Sequence, residues 1–402
     1  MSICFLAPNF HPIIGGAETY LSTIVEGLTK KGVEVLVITN GKDVDAPYKE
    51  NIRGTDVLRL TNYWGRLTDP TKVRWEEMYF SLLSEIKPII DEYEVDIIHV
   101  NSLDTAILGA MVSLQFKVPL ICSFHEHAPE MESFGEGKCE LVFSHLPVDK
   151  FIAGSNFYFE KATMFGANTD RVQLIYHGID LSKFNKLQSS TSRSKFGISD
   201  SSVVLLCTAR LKERKGLLEL IRSISIVKDL IPNIYLIIAG SRNSASDEYA
   251  ESLYQEIRNL ELDNFISIVE DLTLNEMPDL YSISDLVVQP SYEEGLGLSI
   301  LEAMAMCKPV ISTKVRGVKE IITHNDTGWL IEPKSIHAIS DSILLLLKNN
   351  ELRKRLACNG YNLVKNKFNL DIMIEELINT YNSVINKNKK FDINKNNERV
   401  LK

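Results

Sequence analysis

The sequence predicts an α/β protein made of two doubly wound, parallel-sheet lobes in series, with a ligand-binding cleft between them. Three observations carry this. Short runs of β-branched and apolar residues alternate with helix-period segments along nearly the whole chain, which is how parallel strands read when helices cover both faces of their sheet. The alternation occurs twice, and a polar, serine-rich stretch separates the two series. Finally, 402 residues exceed what one ordinary core uses, so length favours two lobes.

In the first series the strands are Ile3 to Leu6, Val33 to Thr39, Val95 to Val100, Val118 to Ser123 and Lys150 to Ala153. The second series holds Val203 to Thr208, Ile234 to Ala239, Phe265 to Val269, Asp285 to Gln289 and Pro309 to Ser312. Between them the stretch from Gly178 through Leu187-Gln-Ser-Ser-Thr-Ser-Arg-Ser194 to Lys195 has the composition of an interdomain linker. The lobes are therefore expected at residues 1–185 and 195–369. A tail over 387–402, rich in Asn and Lys and poor in apolar residues, is expected to be disordered.

Bulk properties exclude several classes. The longest apolar runs, such as Ile343 to Leu347, fall far short of the roughly 20 residues a membrane-spanning helix needs, and Met1 to Pro8 lacks the basic start of an export signal. Six dispersed cysteines without a Cys-x-x-Cys pair fit a reducing cytoplasm. Residues 1–185 hold 16 Lys+Arg against 25 Asp+Glu, so the whole net charge of −9 lies in the first half. Nucleic acid needs a basic face and is not expected as a partner.

In open parallel sheets ligands bind beyond the carboxyl ends of the strands, so the informative residues should follow strands. Gly15 and Gly16 stand where the first strand turns into the helix Ala17 to Lys31. Glycines there admit a ligand to the backbone, and free helix amides favour an anion. The richest segment is Pro290-Ser-Tyr-Glu-Glu-Gly-Leu-Gly-Leu-Ser-Ile-Leu-Glu-Ala-Met304, which becomes helical near Leu298. Its Glu294 and Glu302, eight apart, can face one ligand, and Gly295 and Gly297 let the backbone fold around it. Carboxylates accept paired hydrogen bonds from the vicinal hydroxyls of a ribose or pyranose. After another strand, Thr208-Ala-Arg-Leu-Lys-Glu-Arg-Lys-Gly216 offers Arg210 and Lys215 as a clamp for a diphosphate, while Lys212 and Arg214 read as solvated. His125, in Ser-Phe-His-Glu-His127, reads as a hydrogen-bonding imidazole at a strand end; with His127 alone it lacks the further ligands a metal needs.

Together these residues resemble the large family of retaining glycosyltransferases of GT-B fold known as family 4, over the chain from Phe5 to about Tyr381. Gly15-Gly-Ala-Glu18, the Arg210 and Lys215 pair, Ala239-Gly240, the Glu294 and Glu302 spacing, Leu301-Glu-Ala-Met-Ala305 and Asn325-Asp-Thr-Gly-Trp-Leu330 carry the resemblance. It implies that Glu302 holds the donor ribose, that Arg210 and Lys215 hold the diphosphate above Gly16, and that Glu294 with the backbone of Gly295, Leu296, Gly297 and Leu298 contacts sugar and phosphates. It further implies Gly240, Asp271 and Leu272 as donor contacts, His125 on the transferred sugar, and Asn101, Asp104, Glu126 and Glu130 on the acceptor side. A C-terminal helix, here about 370–386, is implied to return to the first lobe. Departures are Leu296 for Phe, Glu270 for a glycine in the loop that meets the nucleobase, His177 for the usual Asn, and the absence of paired glycines in Val315-Arg-Gly-Val-Lys-Glu320.

The function so implied is transfer of a sugar from a UDP- or GDP-sugar, with retention, to a small-molecule or glycan acceptor. The positive groups already present make a metal unnecessary in this reading, and no other cofactor is expected. The acidic first lobe, with Glu126, Glu130, Glu132 and Glu136 after His125, favours a neutral or amine-bearing acceptor such as an aminocyclitol or amino sugar. Membrane contact is expected to be weak and peripheral at most, with a lipid-linked polysaccharide precursor as the alternative acceptor. A nucleotide-sugar epimerase of the same fold, a nicotinamide-dependent oxidoreductase and a catalytically dead sensor fit less well. They lack, in turn, an identifiable acid and base pair, the G-x-G-x-x-G fingerprint, and a missing catalytic group.

Overall fold

The computed structural model describes residues 1–13, 16–41, 44–60, 75–126, 135–185, 191–242, 247–270, 272 and 275–400. The chain divides into two compact units, one of Met1–His177 with Asp371–Lys402 and one of Gly178–Leu370.

The first unit winds around a sheet of eight strands. In chain order these are β1 (Ser2–Ala7), β2 (Glu34–Asn40), β3 (Lys49–Ile52), β4 (Thr55–Leu60), β5 (Ile97–Val100), β6 (Leu120–Ser123), β7 (Lys150–Ala153) and β8 (Val172–Leu174). Across the sheet they lie β3-β4-β2-β1-β5-β6-β7-β8. All neighbours are parallel except β3 and β4, which form an antiparallel hairpin through Arg53 and Gly54, both at positive φ. The helices are α1 (Gly16–Lys30), α2 (Trp75–Glu92), α3 (Ala106–Phe116), α4 (Gly135–Glu140) and α5 (Asn156–Met164). Burial of β1 at all six positions shows why it reads as an unbroken apolar run. The β3 sequence Lys-Glu-Asn-Ile is polar because it sits at an edge, and so it carries no strand signal.

The second unit holds β9 (Val203–Thr208), β10 (Ile234–Ala239), β11 (Ile266–Val269), β12 (Leu286–Gln289), β13 (Val310–Thr313) and β14 (Trp329–Ile331). They lie in the order β11-β10-β9-β12-β13-β14 and every pairing is parallel. Its helices are α6 (Leu217–Val227), α7 (Asp247–Asn259), α8 (Met277–Ile283), α9 (Leu298–Ala305), α10 (Ile336–Lys348) and α11 (Asn350–Lys367). Ser335 and Asn349 cap α10 and α11 by accepting from Ala338 N and Leu352 N. By contrast α6 and α9 start after Gly216 and Gly297 in left-handed conformation, without a side-chain cap. Their first amides are left for other partners.

Two boundaries differ from the sequence expectation. Residues 178–185 belong to the second unit, because Ile179 and Phe184 are buried there and Ile179 exchanges backbone hydrogen bonds with Phe368 and Leu370. The last helix, α12 (Leu370–Val400), runs past residue 386 through the stretch expected to be disordered. Its polar composition argues against burial, yet helical hydrogen bonds are local and each added residue contributes one. No described helix is long and apolar enough to cross a membrane.

In the first unit Tyr381 of α12 is fully buried, and its hydroxyl lies 2.8 Å from His99 Nδ1 on β5. Tyr381→Phe keeps the ring and strands a buried imidazole nitrogen. It is expected to cost about 1–3 kcal/mol, read as a lower denaturation midpoint; an unchanged midpoint would show that the bond holds nothing.

Candidate functional site

Strand order in the second sheet reverses between β9 and β12, the point at which doubly wound sheets open a crevice at their carboxyl ends. Both charged segments lie there. Lys215, after β9, places Nζ 2.5 Å from Oε1 of Glu294, after β12, and Ser291 Oγ donates to the same oxygen at 2.7 Å. Burial alone would raise the Glu294 pKa, but Lys215 and the Ser291 hydroxyl overcome it and hold the carboxyl below its ordinary value. Arg210 is exposed at the same edge. Arg214 differs from its reading as a solvated residue: it donates to Glu293 O at 3.2 Å, and its carbonyl accepts from Tyr292 N at 2.7 Å, which ties the two loops together.

Gly297 has φ 102°, a conformation L side chains rarely adopt, and it turns the chain from Glu294 into the uncapped start of α9 at Leu298. Leu296 beside it is buried and serves packing. Gly240 follows β10, where a Cβ would lie 1.9 Å from Ala209 O, so the adjoining strand ends leave no room for a side chain.

Glu302, one turn into α9, has a different setting. Tyr281 of α8 donates to its Oε2 at 2.8 Å. Thr208 Oγ1 lies 2.9 Å from the Tyr281 hydroxyl and accepts from Gln289 Nε2 at 2.9 Å, so donors run in one direction from Gln289 through Thr208 and Tyr281 to the carboxylate. Burial pushes Glu302 up to about 7 against the Tyr281 hydrogen bond and the Lys183 charge. Two carboxylates eight residues apart are thus driven in opposite directions by their surroundings. The sequence does not reveal Tyr281, because a tyrosine on a short helix carries no spacing that points at Glu302.

Glu270, the departure in the loop after β11, is held by two Arg242 bonds of 2.7 and 2.8 Å and by the Tyr254 hydroxyl at 2.9 Å. Leu272 is half-buried, and Asp271 lies outside the described residues.

The first sheet reverses its order between β1 and β5. Gly16 opens α1 after β1 with nothing near its absent side chain; Gly15 lies outside the described residues. His125 follows β6, and its Nε2 lies 3.0 Å from Asn101 Oδ1 after β5. Tyr20 of α1 meets the His125 ring edge-on at 4.4 Å and lies against His177 at 4.1 Å. Burial, with His177 and His99 nearby, lowers the His125 pKa well below its ordinary value and keeps the ring neutral. Three residues read as acceptor contacts are engaged within the protein, Asn101 among them through Ala17 O and His125 Nε2. Glu126 accepts from Leu103 N and His125 N, both at 2.8 Å, and Asp104 accepts from Lys138 at 2.8 Å. His127, Glu130 and Glu132 lie outside the described residues. No group of three or more His, Cys, Asp or Glu is placed to hold a metal among the described residues. The metal-free reading also took no Asp-x-Asp to follow a strand, which the sequence corrects: Asp43-Val44-Asp45 follows β2, with Asp43 outside the described residues.

The sequence matches the family described as Glycosyltransferase Family 4 over residues 14–183 and that described as Glycosyl transferases group 1 over residues 188–363. The chain belongs to the group 1, family 4 type of glycosyltransferase. An uncharacterised glycosyltransferase from Methanocaldococcus jannaschii is 28% identical over 95% of this chain and 98% of its own. A D-inositol 3-phosphate glycosyltransferase from Pseudarthrobacter chlorophenolicus is 28% identical over 79% of this chain and 78% of its own. The crystal structure of Anabaena HepE with UDP and glucose is similar at a TM-score of 0.76, with 22% identity over 95% of this chain and 100% of that one, and shares the GT-B fold.

In this glycosyltransferase the Lys215 and Glu294 side chains are 13% and 11% exposed, so breaking the pair leaves a nearly buried charge. Lys215→Ala is expected to destabilise the second unit by about 3–5 kcal/mol, and Lys215→Met with Glu294→Met to recover much of that. Equal melting temperatures for Lys215→Ala and the parent would show that the pair is solvated in solution.

Proposed function

We propose that the enzyme transfers a hexosyl or N-acetylhexosaminyl group from a UDP- or GDP-sugar to a hydroxyl of a small polyol or glycan acceptor, with retention and without a metal. The observation that carries this is the Lys215–Glu294 pair beside the uncapped start of α9, at the switch point of the second sheet. As the glycosidic bond breaks, the anomeric carbon becomes oxocarbenium-like and the departing diphosphate gains negative charge. Arg210, Lys215 and the α9 amides offer a fixed positive field for those oxygens, the part a divalent metal would otherwise play. Glu302, with Tyr281 behind it, is assigned to the donor ribose hydroxyls. Glu294 is assigned to the sugar, with Lys215 keeping its carboxyl ionised. From the first unit His125 is assigned to the transferred sugar.

UDP is favoured as the nucleotide by the bound UDP of the HepE structure. A polyol ring is favoured as acceptor by the relative named for D-inositol 3-phosphate and by the acidic excess of residues 1–185. A thermal-shift series with UDP, GDP, ADP and their sugars tests the donor, since a ligand at 100 times its Kd stabilises by about 2.7 kcal/mol. No shift with any nucleotide would end this reading. Transfer only to a lipid diphosphate, with binding to anionic vesicles, would replace the polyol acceptor by a polysaccharide precursor.

Two outcomes follow for the donor site. Turnover is expected to continue in excess EDTA and to fall on the order of 10²-fold in Lys215→Ala at saturating donor; activity lost in chelator and restored by Mg²⁺ or Mn²⁺ would remove the metal-free assignment. Burial pushes the Glu302 carboxyl up to about 7, and its ionised form offers both oxygens as acceptors to the ribose hydroxyls, whereas protonation turns one of them into a donor. UDP affinity should therefore rise with pH through about 7 and then level off, with this step absent in Glu302→Gln. A step that survives in Glu302→Gln would assign it to another group.

A further inference from the structure

β5 and β6 lie side by side in parallel register, and each strand end carries two polar side chains two residues apart: His99 on β5 with Asn101 just after it, and Ser123 on β6 with His125 two residues after it. Residues two apart in an extended chain share a face, and here they bond in pairs across the strands. The inner rung joins His99 Nε2 to Ser123 Oγ at 2.8 Å, and the outer rung joins Asn101 Oδ1 to His125 Nε2 at 3.0 Å. The inner rung is fully buried. Its other nitrogen meets Tyr381 at 2.8 Å and its ring stacks on Phe5 at 4.7 Å, so the two strand ends are held in register from beneath.

The outer rung has a chemical direction. Asn101 Nδ2 donates to Ala17 O at 3.3 Å, which turns Oδ1 toward His125. An amide oxygen only accepts, so the proton of this contact must sit on His125 Nε2. A neutral imidazole carries one proton, and Nδ1 is then left as a bare lone pair. The Tyr20 ring edge against His125 and the Glu126 carboxylate on its backbone amide restrain the residue in this orientation.

We propose that Asn101 is a positioning residue that fixes the Nε2–H tautomer of His125, so that His125 meets the donor sugar through Nδ1, as an acceptor for a sugar hydroxyl and not as a proton donor. The proposal rests on the assignment of His125 to the transferred sugar. It specifies the donor: the sugar must present an O–H at the position facing His125. A fluorine there cannot donate, and the leaving diphosphate receives no proton from this imidazole.

The test uses the full chain with ¹⁵N-labelled histidine. Long-range imidazole correlation spectra should give protonated Nε2 and unprotonated Nδ1 for His125 in the parent and in Asn101→Asp, which retains an acceptor. Asn101→Ala should give mixed tautomers. Protonated Nδ1 in the parent overturns the proposal without any variant, so a variant that fails to fold does not shield it. In transfer assays Asn101→Ala should lower kcat on the order of tenfold or more with little change in donor KM, and Asn101→Asp should recover most of it. Among monofluorinated donor sugars, one position should be poor for the parent and no worse than the natural donor for His125→Ala. Normal turnover in Asn101→Ala, or no such position, overturns the proposal. If no nucleotide sugar is turned over at all, the donor assignment fails, while the tautomer spectra still report on Asn101.

Discussion

The contact between Lys215 and Glu294 joins the loop after β9 to the loop after β12, and much of the second unit's chemistry is organised around it. A parallel sheet covered on both faces cannot hold charge in its interior, because every strand residue packs against helices. Charge is therefore confined to the carboxyl edge, where the chain leaves the sheet. At the point of reversed strand order two such exits are neighbours, and an ammonium from one can neutralise a carboxylate from the other. Ser291, Arg214 and Gly297 then shape the same turn: one completes the carboxylate, one ties the loops, one directs the chain into an uncapped helix.

Glu294 and Glu302 show how one short segment yields two chemically distinct acids. A cation and a hydroxyl hold the first ionised, while the second faces a tyrosine at the end of a neutral relay and stays close to neutral pH. Only the first is suited to remaining charged beside a reacting sugar under all ordinary conditions. The second responds to its ligand as well as to pH, since hydroxyls that donate to it favour its ionised form.

Where β5 and β6 end in the first unit, the polar side chains of the two strands are ordered by neutral hydrogen bonds instead of charge. His99, Ser123, Asn101 and His125 form a two-rung arrangement in which both His99 nitrogens and His125 Nε2 have defined partners. Glu126, which reads in sequence as part of an acidic loop available to an acceptor, is spent on two backbone amides and stabilises the turn that carries His125. Its buried position explains the difference: a carboxylate removed from water must find donors, and the nearest are main-chain N–H groups.

The sequence by itself determined the two-lobed α/β architecture, the strands that are apolar throughout, and the loops that hold Arg210, Lys215, Glu294, Glu302 and His125. Each of these is written in local terms: an apolar run, a glycine before a helix, a charge just after a strand. It left β3, β8 and β14 unmarked because edge strands are short or polar, left the interior β4 unmarked because Asp56 and Arg59 interrupt its apolar run, and ended α12 too early because composition reports burial and not helicity. Only the tertiary structure decided which groups meet. Tyr281 behind Glu302, His99 between Tyr381 and Ser123, and Asn101 on His125 all come from distant parts of the chain, joined by strand order. Protonation and tautomer depend on such neighbours, since each is set by the donors, charges and solvent exclusion a group experiences in the fold.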